Sequence, residues 1–482
     1  MRSRYASFTL STHNDRSARH HIFYLGNRTQ MMLTPYSMIE GISWPAVPPP
    51  KSAGLLAMQY QLDQSQWMPT AELERRQLDQ AALLLRHALD TVPHYRDKYG
   101  ALAIPGKFDW GTWRNLPLLE RSDIQQHFEQ MKSARVPPSH GNIRMYGSSG
   151  STGRPIKVLG TDTTHFFWLS LSLRDHVWQK RDLAKKLAVI RTKVTSGTSP
   201  GWGEWSDSIV SGPSSALNIH ADVDEQLDWL VAENPDYLLT HPTNLQALVT
   251  RAAERGVRPA NLRETRTFGE MLQPGLRELV SRVWGVKLTD MYSAEEVGYI
   301  ALQCPETEHY HIQSENLLVE ILNGRGEPCK PGEVGEVVVT TLHNFSMPLI
   351  RYRILDHAEA GAPCPCGRNL PVLKRIVGRQ RNMIVLPDGR SYWPSFPIGA
   401  WLAIAPIRQF QIVQHDTRTI EIKLVCPHPL NALEETDIRA MLTEKLGYPF
   451  HFLFSYQDKI EHRPNGKFED FISLVNDRQA NN

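Results

Sequence analysis

Apolar residues recur at helical spacing in the first strongly patterned part of the chain. From Thr70 to Tyr99, leucine and alanine return every three or four positions between charged residues, and Pro93 interrupts the run. This period places apolar side chains on one face of an α-helix, and an internal proline breaks the helix. The pattern therefore predicts two helices that meet near Pro93.

Helical segments and short apolar runs alternate in the middle of the chain. A helical stretch after Asp162 leads into an apolar run at 187–193, and a run at 237–240 leads into a helix that ends at Gly256. A further apolar run covers 286–292. Short apolar runs bounded by polar residues are typical of buried strands, and strands that alternate with helices form α/β folds. We therefore predict an α/β fold.

The pattern changes after Gly298. Short β-branched runs are separated there by the turn pairs Asn323-Gly324 and Pro331-Gly332, which predicts a β-rich subdomain within a large domain. After Gly378, two alternating segments precede one helical stretch, which predicts a small α+β domain. We accordingly predict a partly disordered N-terminal extension over 1–55, a large domain over 56–377 and a small mobile C-terminal domain over 378–482.

Composition narrows the class of protein. A chain of 482 residues is longer than one hydrophobic core usually organises, and its 41% hydrophobic and 22% charged residues are typical of globular proteins. No apolar run approaches the roughly 20 residues that a membrane-spanning helix needs. A net charge of +2 gives no electrostatic argument for a nucleic-acid partner. We therefore predict a small-molecule substrate, no nucleic-acid partner and no membrane span, and a homodimer remains open.

The five cysteines and the N-terminal composition indicate the cellular compartment of the protein. An odd number of cysteines argues against a secreted disulfide framework and favours a reducing cytoplasm. The arginine-rich first forty residues are also compatible with an organelle transit peptide. We prefer a disordered extension, or a true start at Met31, Met32 or Met38.

The segment from Gly147 to Val158 combines three glycines, four hydroxyl residues and Arg154. Glycines let backbone N–H groups approach phosphate oxygens, while hydroxyls and an arginine add further donors. The segment is not a Walker A loop, because no Gly-Lys-Ser/Thr ending is present. A flexible linker is the alternative interpretation. The predicted phosphate ligands are Ser148, Ser149, Gly150, Ser151, Thr152, Gly153 and Arg154.

This segment resembles the phosphate loop of the acyl-adenylate-forming (AMP-binding) superfamily, in its phenylacetate-CoA ligase-like and capsular polysaccharide biosynthesis protein-like branch. Further motifs of that family follow in the same order, at 290–298, 348–358, 375–383 and from 461 onward. Together they cover the chain from about Ala71 to about Leu474. The resemblance implies a large adenylating domain followed by a small mobile domain.

Several roles in adenine and magnesium binding are implied by the resemblance. In the motif at 290–298, Tyr292 would stack on adenine beside Ser293, and Glu296 would hold magnesium. Glu295 is an alternative for the magnesium carboxylate. The Gly269-Glu270 pair resembles the turn that lines the family's adenine pocket.

Ribose binding and catalysis are implied in the same way. Asp356 would accept hydrogen bonds from both ribose hydroxyls, although Ile354-Leu355 replaces the family's Thr-Gly. Arg379, after the hinge residue Gly378, would contact the ribose, and Asn382 stands where aspartate is frequent. Lys467 matches the adenylation lysine, which would neutralise charge as the carboxylate attacks the α-phosphate. The predicted catalytic residues are Lys467, Glu296 and Arg379.

A second candidate site involves cysteines. Cys364 and Cys366 form a tight Cys-Pro-Cys-Gly turn, and Cys304 and His311 lie upstream. Three thiolates and one imidazole suit a closed tetrahedral zinc site, and related ligases often show the same arrangement. His309 is a rival for the histidine position, and a reduced cysteine pair is the alternative without metal. We predict structural, non-catalytic zinc.

The resemblance predicts an acid–thiol ligase that consumes ATP in the presence of Mg²⁺. A small carboxylic acid, with an aromatic acid as the family-level expectation, would become acyl-AMP and pass to a thiol, preferably that of coenzyme A. An amine, a carrier protein and adenylyl transfer to a phenol remain open as alternatives. A degenerate nucleotide-binding scaffold protein is the alternative from another class. Candidates for an aromatic acid pocket are Trp202, Trp205 and Tyr237, although packing in the core is the commoner fate of aromatic residues.

Overall fold

Strands and helices alternate through the middle of the chain, as the apolar pattern predicts. The computed structural model describes residues 33–99, 108–147, 155–379, 382–460 and 467–475. The helices are α1 (Pro50–Ser65), α2 (Thr70–Thr91), α3 (Pro93–Tyr99), α4 (Trp110–Arg114), α5 (Arg121–Gln126), α6 (Asp162–Trp178), α7 (Val223–Glu233), α8 (Pro242–Arg255), α9 (Leu276–Trp284), α10 (Ile398–Leu402) and α11 (Ala432–Leu446).

The strands are mostly short, as the turn residues between the apolar runs predict. They are β1 (Ile143–Gly147), β2 (Lys157–Thr161), β3 (Leu187–Arg191), β4 (Gly197–Ser199), β5 (Ser214–Asn218), β6 (Tyr237–Thr240), β7 (Glu264–Phe268), β8 (Lys287–Ala294), β9 (Gly298–Gln303), β10 (Tyr310–Ile312), β11 (Leu317–Leu322), β12 (Val334–Thr341), β13 (Tyr352–Ala360), β14 (Val372–Arg379), β15 (Ile384–Val385), β16 (Ser391–Tyr392), β17 (Gln409–Gln414), β18 (Thr419–Val425), β19 (His451–Tyr456) and β20 (Phe471–Ser473).

One large sheet contains both a parallel and an antiparallel part. Its order, within the described residues, is β11-β12-β13-β14-β10-β9-β8-β7-β6-β3-β5-β4. The pairs β5–β3, β3–β6, β6–β7 and β7–β8 are parallel. The edge pair β4–β5 and all pairs from β8 to β11 are antiparallel. The parallel part is linked by helices and the antiparallel part is the predicted β-rich region. The predicted α/β class is confirmed.

The C-terminal part forms a smaller sheet with one long helix. Its strands follow the order β19-β18-β17-β20, and α11 lies between β18 and β19 in sequence. Buried side chains of this part, such as Trp401 and Phe410, belong to the same apolar cluster as Leu245 and Trp284 of α8 and α9. The domain boundaries at 55 and 377 remain predictions.

Local patterns explain why these elements end where they do. The break between α2 and α3 falls immediately before Pro93, as predicted. Helix α8 ends at Gly256, whose φ of 65° is the left-handed cap that glycine adopts without strain. Among the described helices, none combines the length and apolar composition needed to cross a bilayer.

Candidate functional site

A cavity of about 610 Å³ lies where the parallel strands of the large sheet end. Ligands of α/β proteins commonly bind at this edge, because the loops after parallel strands converge there. Residues that directly follow β3, β6 and β7 line the cavity, together with the end of β8. The predicted site residues that line it are Gly269, Glu270, Tyr292, Ser293, Glu296, Asp356, Arg379 and Lys467.

Tyr292, Asp356 and Arg379 form a hydrogen-bonded row in the cavity wall. The Tyr292 hydroxyl donates to Asp356 Oδ2 at 2.8 Å, and Arg379 Nε donates to Asp356 Oδ1 at 3.0 Å. Antiparallel pairing of β13 with β14 places Asp356 directly opposite Arg379. A carboxylate has about four acceptor positions, so the row leaves room for further donors on Asp356.

Leu355 lies in an irregular part of β13, directly before Asp356, where the sequence departs from the family pattern. The related family has glycine at this position, and Leu355 has a φ of 69°, in the left-handed region. A side chain in that region costs roughly 1–2 kcal/mol, which glycine avoids. The backbone therefore adopts a glycine-like conformation, and Asp356 lies in the cavity wall.

The structure distinguishes the two neighbouring glutamates. The Glu296 side chain is only 7% exposed, and its Oε1 lies 3.7 Å from Arg121 Nη1. Burial raises the pKa of Glu296, while Arg121 and Arg379 oppose that shift. Glu295 is 48% exposed and pairs with Lys193 at 3.2 Å. Glu296 is therefore the carboxylate enclosed with Asp356 and Arg379.

Lys467 lies inside the cavity beside the turn at Gly269. Gly269 has a φ of 81°, and a Cβ atom there would come within 3.4 Å of Lys467 Cε. Burial lowers the pKa of Lys467, and Arg379 lowers it further, whereas Asp356, Glu270 and Glu296 oppose the shift. The lysine thus lies in a setting of mixed charge, with three carboxylates near enough to influence it.

Glu270 connects the turn after β7 to the chain segment of Lys467. Its Oε2 accepts hydrogen bonds from the Thr243 hydroxyl at 2.7 Å and from the Thr243 N–H at 3.1 Å. Its Oε1 accepts the N–H of Phe468 at 2.6 Å. One carboxylate therefore attaches the lysine-bearing segment to the start of α8.

Part of the predicted site lies outside the described residues. The predicted phosphate ligands from Ser148 to Arg154 fall between β1 and β2, in a segment that the structure does not describe. Residues 380–381 of the predicted hinge are also outside it. Asn382 is described, and its Nδ2 donates to the carbonyl of Phe471 in β20 at 2.7 Å.

Similar proteins include several phenylacetate-coenzyme A ligases. The phenylacetate-coenzyme A ligase of Thermus thermophilus is 26% identical over 383 residues, which cover 73% of this chain and 81% of the relative. The enzyme of the same name from Escherichia coli is 26% identical over 346 residues, covering 69% of this chain and 77% of the relative. The chain is a homologue of phenylacetate-CoA ligases. No protein-family model matches it.

Solved structures agree with this homology at the level of the fold. A 2-hydroxyisobutyryl-CoA ligase in the postadenylation state, in complex with 2-HIB-AMP, aligns with a TM-score of 0.69 at 19% identity, covering 86% of this chain and 92% of that one. The same ligase in the thioesterification state, with CoA, aligns with a TM-score of 0.55. The fold is that of adenylating acyl-CoA ligases.

The four predicted metal ligands meet at a second site. The ligand atoms of Cys304, His311, Cys364 and Cys366 lie within 4.8 Å of one another. His311 Nδ1 lies 3.3 Å from the carbonyl of Leu370, which accepts its proton, so Nε2 faces the Cys366 sulfur at 3.3 Å. His311, rather than its rival His309, belongs to this group. The turn at Cys364, the residue that follows β9 and strand β10 supply the four ligands.

Several cavity residues were not found from the sequence. Arg121 lies at the start of α5, and His241 at the start of α8 donates its Nδ1 proton to the carbonyl of Phe268 at 2.9 Å. A single arginine or histidine beside a helix carries no recognisable signal in one sequence.

Of the three predicted aromatic pocket residues, Trp202 and Trp205 do line the cavity. Tyr237 does not: its ring packs on Trp202, and its hydroxyl accepts the N–H of Asp182, so the suggestion that it lines the pocket is wrong.

Proposed function

We propose that the protein activates a small carboxylic acid with ATP and transfers the acyl group to coenzyme A. The acid would first form acyl-AMP and release pyrophosphate, and the thiol would then displace AMP to give a thioester. The observation that carries the proposal is the convergence of Lys467, Glu296, Asp356 and Arg379 on one cavity. The homology to phenylacetate-CoA ligases supports it.

The residues of the cavity suit the adenylation step. Two anions meet when a carboxylate attacks the α-phosphate, so a cation at the reacting oxygens lowers the barrier. Lys467 would neutralise both groups. Asp356 has acceptor positions for ribose hydroxyls, held in orientation by Tyr292 and Arg379. Activation is needed because a free carboxylate is a poor electrophile, whereas an acyl phosphate anhydride has a good leaving group.

Magnesium fits the carboxylate chemistry of the cavity. Mg²⁺ prefers oxygen ligands and is usually held by one or two carboxylates together with substrate phosphates. Glu296 is the enclosed carboxylate that would hold it. The ion would neutralise negative charge on the triphosphate.

The thioester step requires Lys467 to leave the cavity. We propose that the C-terminal part rotates about the Gly378-Arg379 region, because hinges need only a few residues that absorb a backbone change. Gly378 has a φ of 108°, and such a backbone is open to glycine but rarely to other residues. An amine, a carrier-protein thiol or a phenol as acceptor would be revealed by product analysis.

We also propose that the cluster of Cys304, His311, Cys364 and Cys366 holds structural zinc. Three sulfurs and one imidazole fill a tetrahedral shell, which leaves no open position for catalysis. The contact from His311 Nδ1 to a carbonyl is the outer hydrogen bond that zinc-binding histidines usually make. Elemental analysis of protein purified without chelator should find about one zinc per chain, and its absence would contradict this proposal.

The remaining expectations concern assembly and location. The free cysteines agree with a reducing compartment, and we propose the cytoplasm. Light scattering of the purified chain would show whether it forms the homodimer that remains open.

The test of the proposed function is acid-dependent exchange of labelled pyrophosphate into ATP, measured over a panel of acids. We expect exchange with at least one acid and its loss in Lys467→Ala. Lys445→Ala, at an exposed lysine of α11, is the matched control and should retain exchange. A nucleotide-binding scaffold would bind ATP without exchanging pyrophosphate, and that result would refute the proposal.

A further inference from the structure

One face of α6 forms a wall of the cavity. His165, Trp168, Leu169, Ser172 and His176 all line it, at the spacing that keeps side chains on one side of a helix. Met291 of β8 and Tyr299 of β9 contribute to the same region and pack in one apolar cluster with Leu171 of α6. These lining residues are separate from those predicted to bind the nucleotide, so this wall is available for the acid.

Two hydroxyl groups of this wall are adjacent. The Ser172 hydroxyl lies beside that of Tyr299, with which it interacts, and the Tyr299 residue is only 6% exposed. Within the described part of the chain, no carbonyl or carboxylate accepts the Tyr299 proton. A hydroxyl enclosed in this way loses its hydrogen bonds to bulk water, so a ligand group that accepts its proton is favoured.

His176 adds a third polar atom one helical turn from Ser172. Arg181 Nη1 approaches His176 Nδ1 at 3.4 Å, and since arginine only donates, Nδ1 is the acceptor and Nε2 carries the proton. Burial keeps the pKa of His176 well below its usual range, and the charges of Arg266 and Arg181 lower it further, so the ring stays neutral. In the described residues nothing accepts the Nε2 proton.

Aromatic rings surround these polar atoms. The Trp168 ring lies 4.6 Å from that of Tyr299, and the rings of Trp202 and Trp205 each lie 5.3 Å from that of His176. Indole faces bind flat, unsaturated rings well. Polar atoms enclosed by such faces match a ring that carries an oxygen substituent.

We propose that the acid is an aromatic acid with a ring hydroxyl, which Ser172, His176 and Tyr299 bind while the carboxylate faces Lys467. This proposal rests on the proposed function, because it assigns the acid for the same cavity. A plain phenyl ring would fill the aromatic walls but would offer no acceptor for the protons of the Tyr299 hydroxyl and of His176 Nε2. A site built to bind a hydroxyl discriminates strongly against an analogue that lacks it.

The experiment compares 4-hydroxyphenylacetate and 3-hydroxyphenylacetate with phenylacetate in the pyrophosphate exchange assay of the full chain. We expect at least one hydroxylated acid to have a kcat/KM at least tenfold above that of phenylacetate. Tyr299→Phe and Ser172→Ala should each reduce this ratio about tenfold, the effect of one lost hydrogen bond of about 1.4 kcal/mol. Ser170→Ala is the matched control on α6, since its hydroxyl bonds the Phe166 carbonyl and does not line the cavity.

Binding is measured separately by quenching of tryptophan fluorescence with the same acids. Tighter binding of a hydroxylated acid, weakened in Ser172→Ala or Tyr299→Phe, supports the proposal. If such binding is found but pyrophosphate exchange is absent, only the proposed function fails. A preference for phenylacetate, or a ratio unchanged in whichever of the two variants folds, overturns the proposal and leaves the proposed function intact. Preference for an aliphatic or sugar acid would overturn it as well.

Discussion

The carboxylate of Glu270 accepts the backbone N–H of Phe468 at 2.6 Å, one residue beyond Lys467. The other oxygen of Glu270 is held by Thr243 at the start of α8. This contact ties the C-terminal segment to the large sheet at the place where the lysine enters the cavity. It therefore bears directly on which half-reaction the protein is arranged to perform.

Removing this contact should impair adenylation selectively. Glu270→Ala loses a charge-assisted hydrogen bond of about 1.5–3 kcal/mol, so we expect pyrophosphate exchange to fall between about tenfold and a hundredfold. Thioester formation from supplied acyl-AMP should change little, because the proposed rotation would withdraw Lys467 for that step. Glu270→Gln keeps an oxygen acceptor and should retain most of the exchange. Equal loss in both half-reactions would contradict the assignment.

The pH dependence of exchange should report the lysine. Burial and Arg379 lower the pKa of Lys467, so its charged form is lost at a lower pH than that of an ordinary lysine. Exchange should decline as pH rises through this lowered value. Lys467→Arg, whose guanidinium stays charged, should move the alkaline decline to higher pH in whatever activity remains. An unchanged decline in that variant would assign it to another group.

Asp290 should make the fold less stable as pH rises. Burial raises its pKa from 3.8 to about 6, against hydrogen bonds from Thr267 and Tyr310. The folded state then binds more protons than the unfolded state between these values, so stability falls as pH rises through them, by up to about 3 kcal/mol. Asp290→Asn removes this titration. In urea unfolding, the stability of the variant relative to that of the natural protein should increase from about pH 4 to about pH 6.5.

Two comparisons test that prediction. Asp437→Asn, at an exposed position of α11, should leave the pH dependence of unfolding unchanged. A constant difference in stability between Asp290→Asn and the natural protein at all pH values would show that Asp290 is ionised in the folded state.

The cysteine cluster should stabilise the fold without taking part in the reaction. Cys364→Ser removes one thiolate ligand, so we expect loss of bound zinc and a lower unfolding midpoint. Cys426→Ser, outside the cluster, should keep both. Equal zinc content in the natural protein and Cys364→Ser, measured by elemental analysis, would contradict the prediction.

Much of the architecture could be predicted from the sequence because it depends on local signals. The strand at Tyr237–Thr240 lies where the apolar pattern predicts it, and helix α8 ends where the glycine predicts. The resemblance selected Tyr292, Asp356 and Lys467, and all three line one cavity. Their roles in binding and catalysis remain predictions until exchange is measured.

Other features depend on contacts between distant parts of the chain, which one sequence does not encode in any local pattern. The irregular pairing after Tyr292 and side-chain burial decided that Glu296 rather than Glu295 faces Arg121. Strand pairing likewise decided that His311 rather than His309 joins the cysteines. The polar wall formed by Ser172 and His176 of α6 was likewise found only in the structure. In a sequence, a polar residue of a helix that faces water cannot be distinguished from one that faces an enclosed cavity. The sequence by itself determined the elements and the order of the motifs, through local backbone preference and apolar period. The tertiary structure decided which polar atoms are enclosed, since burial depends on what packs on both sides.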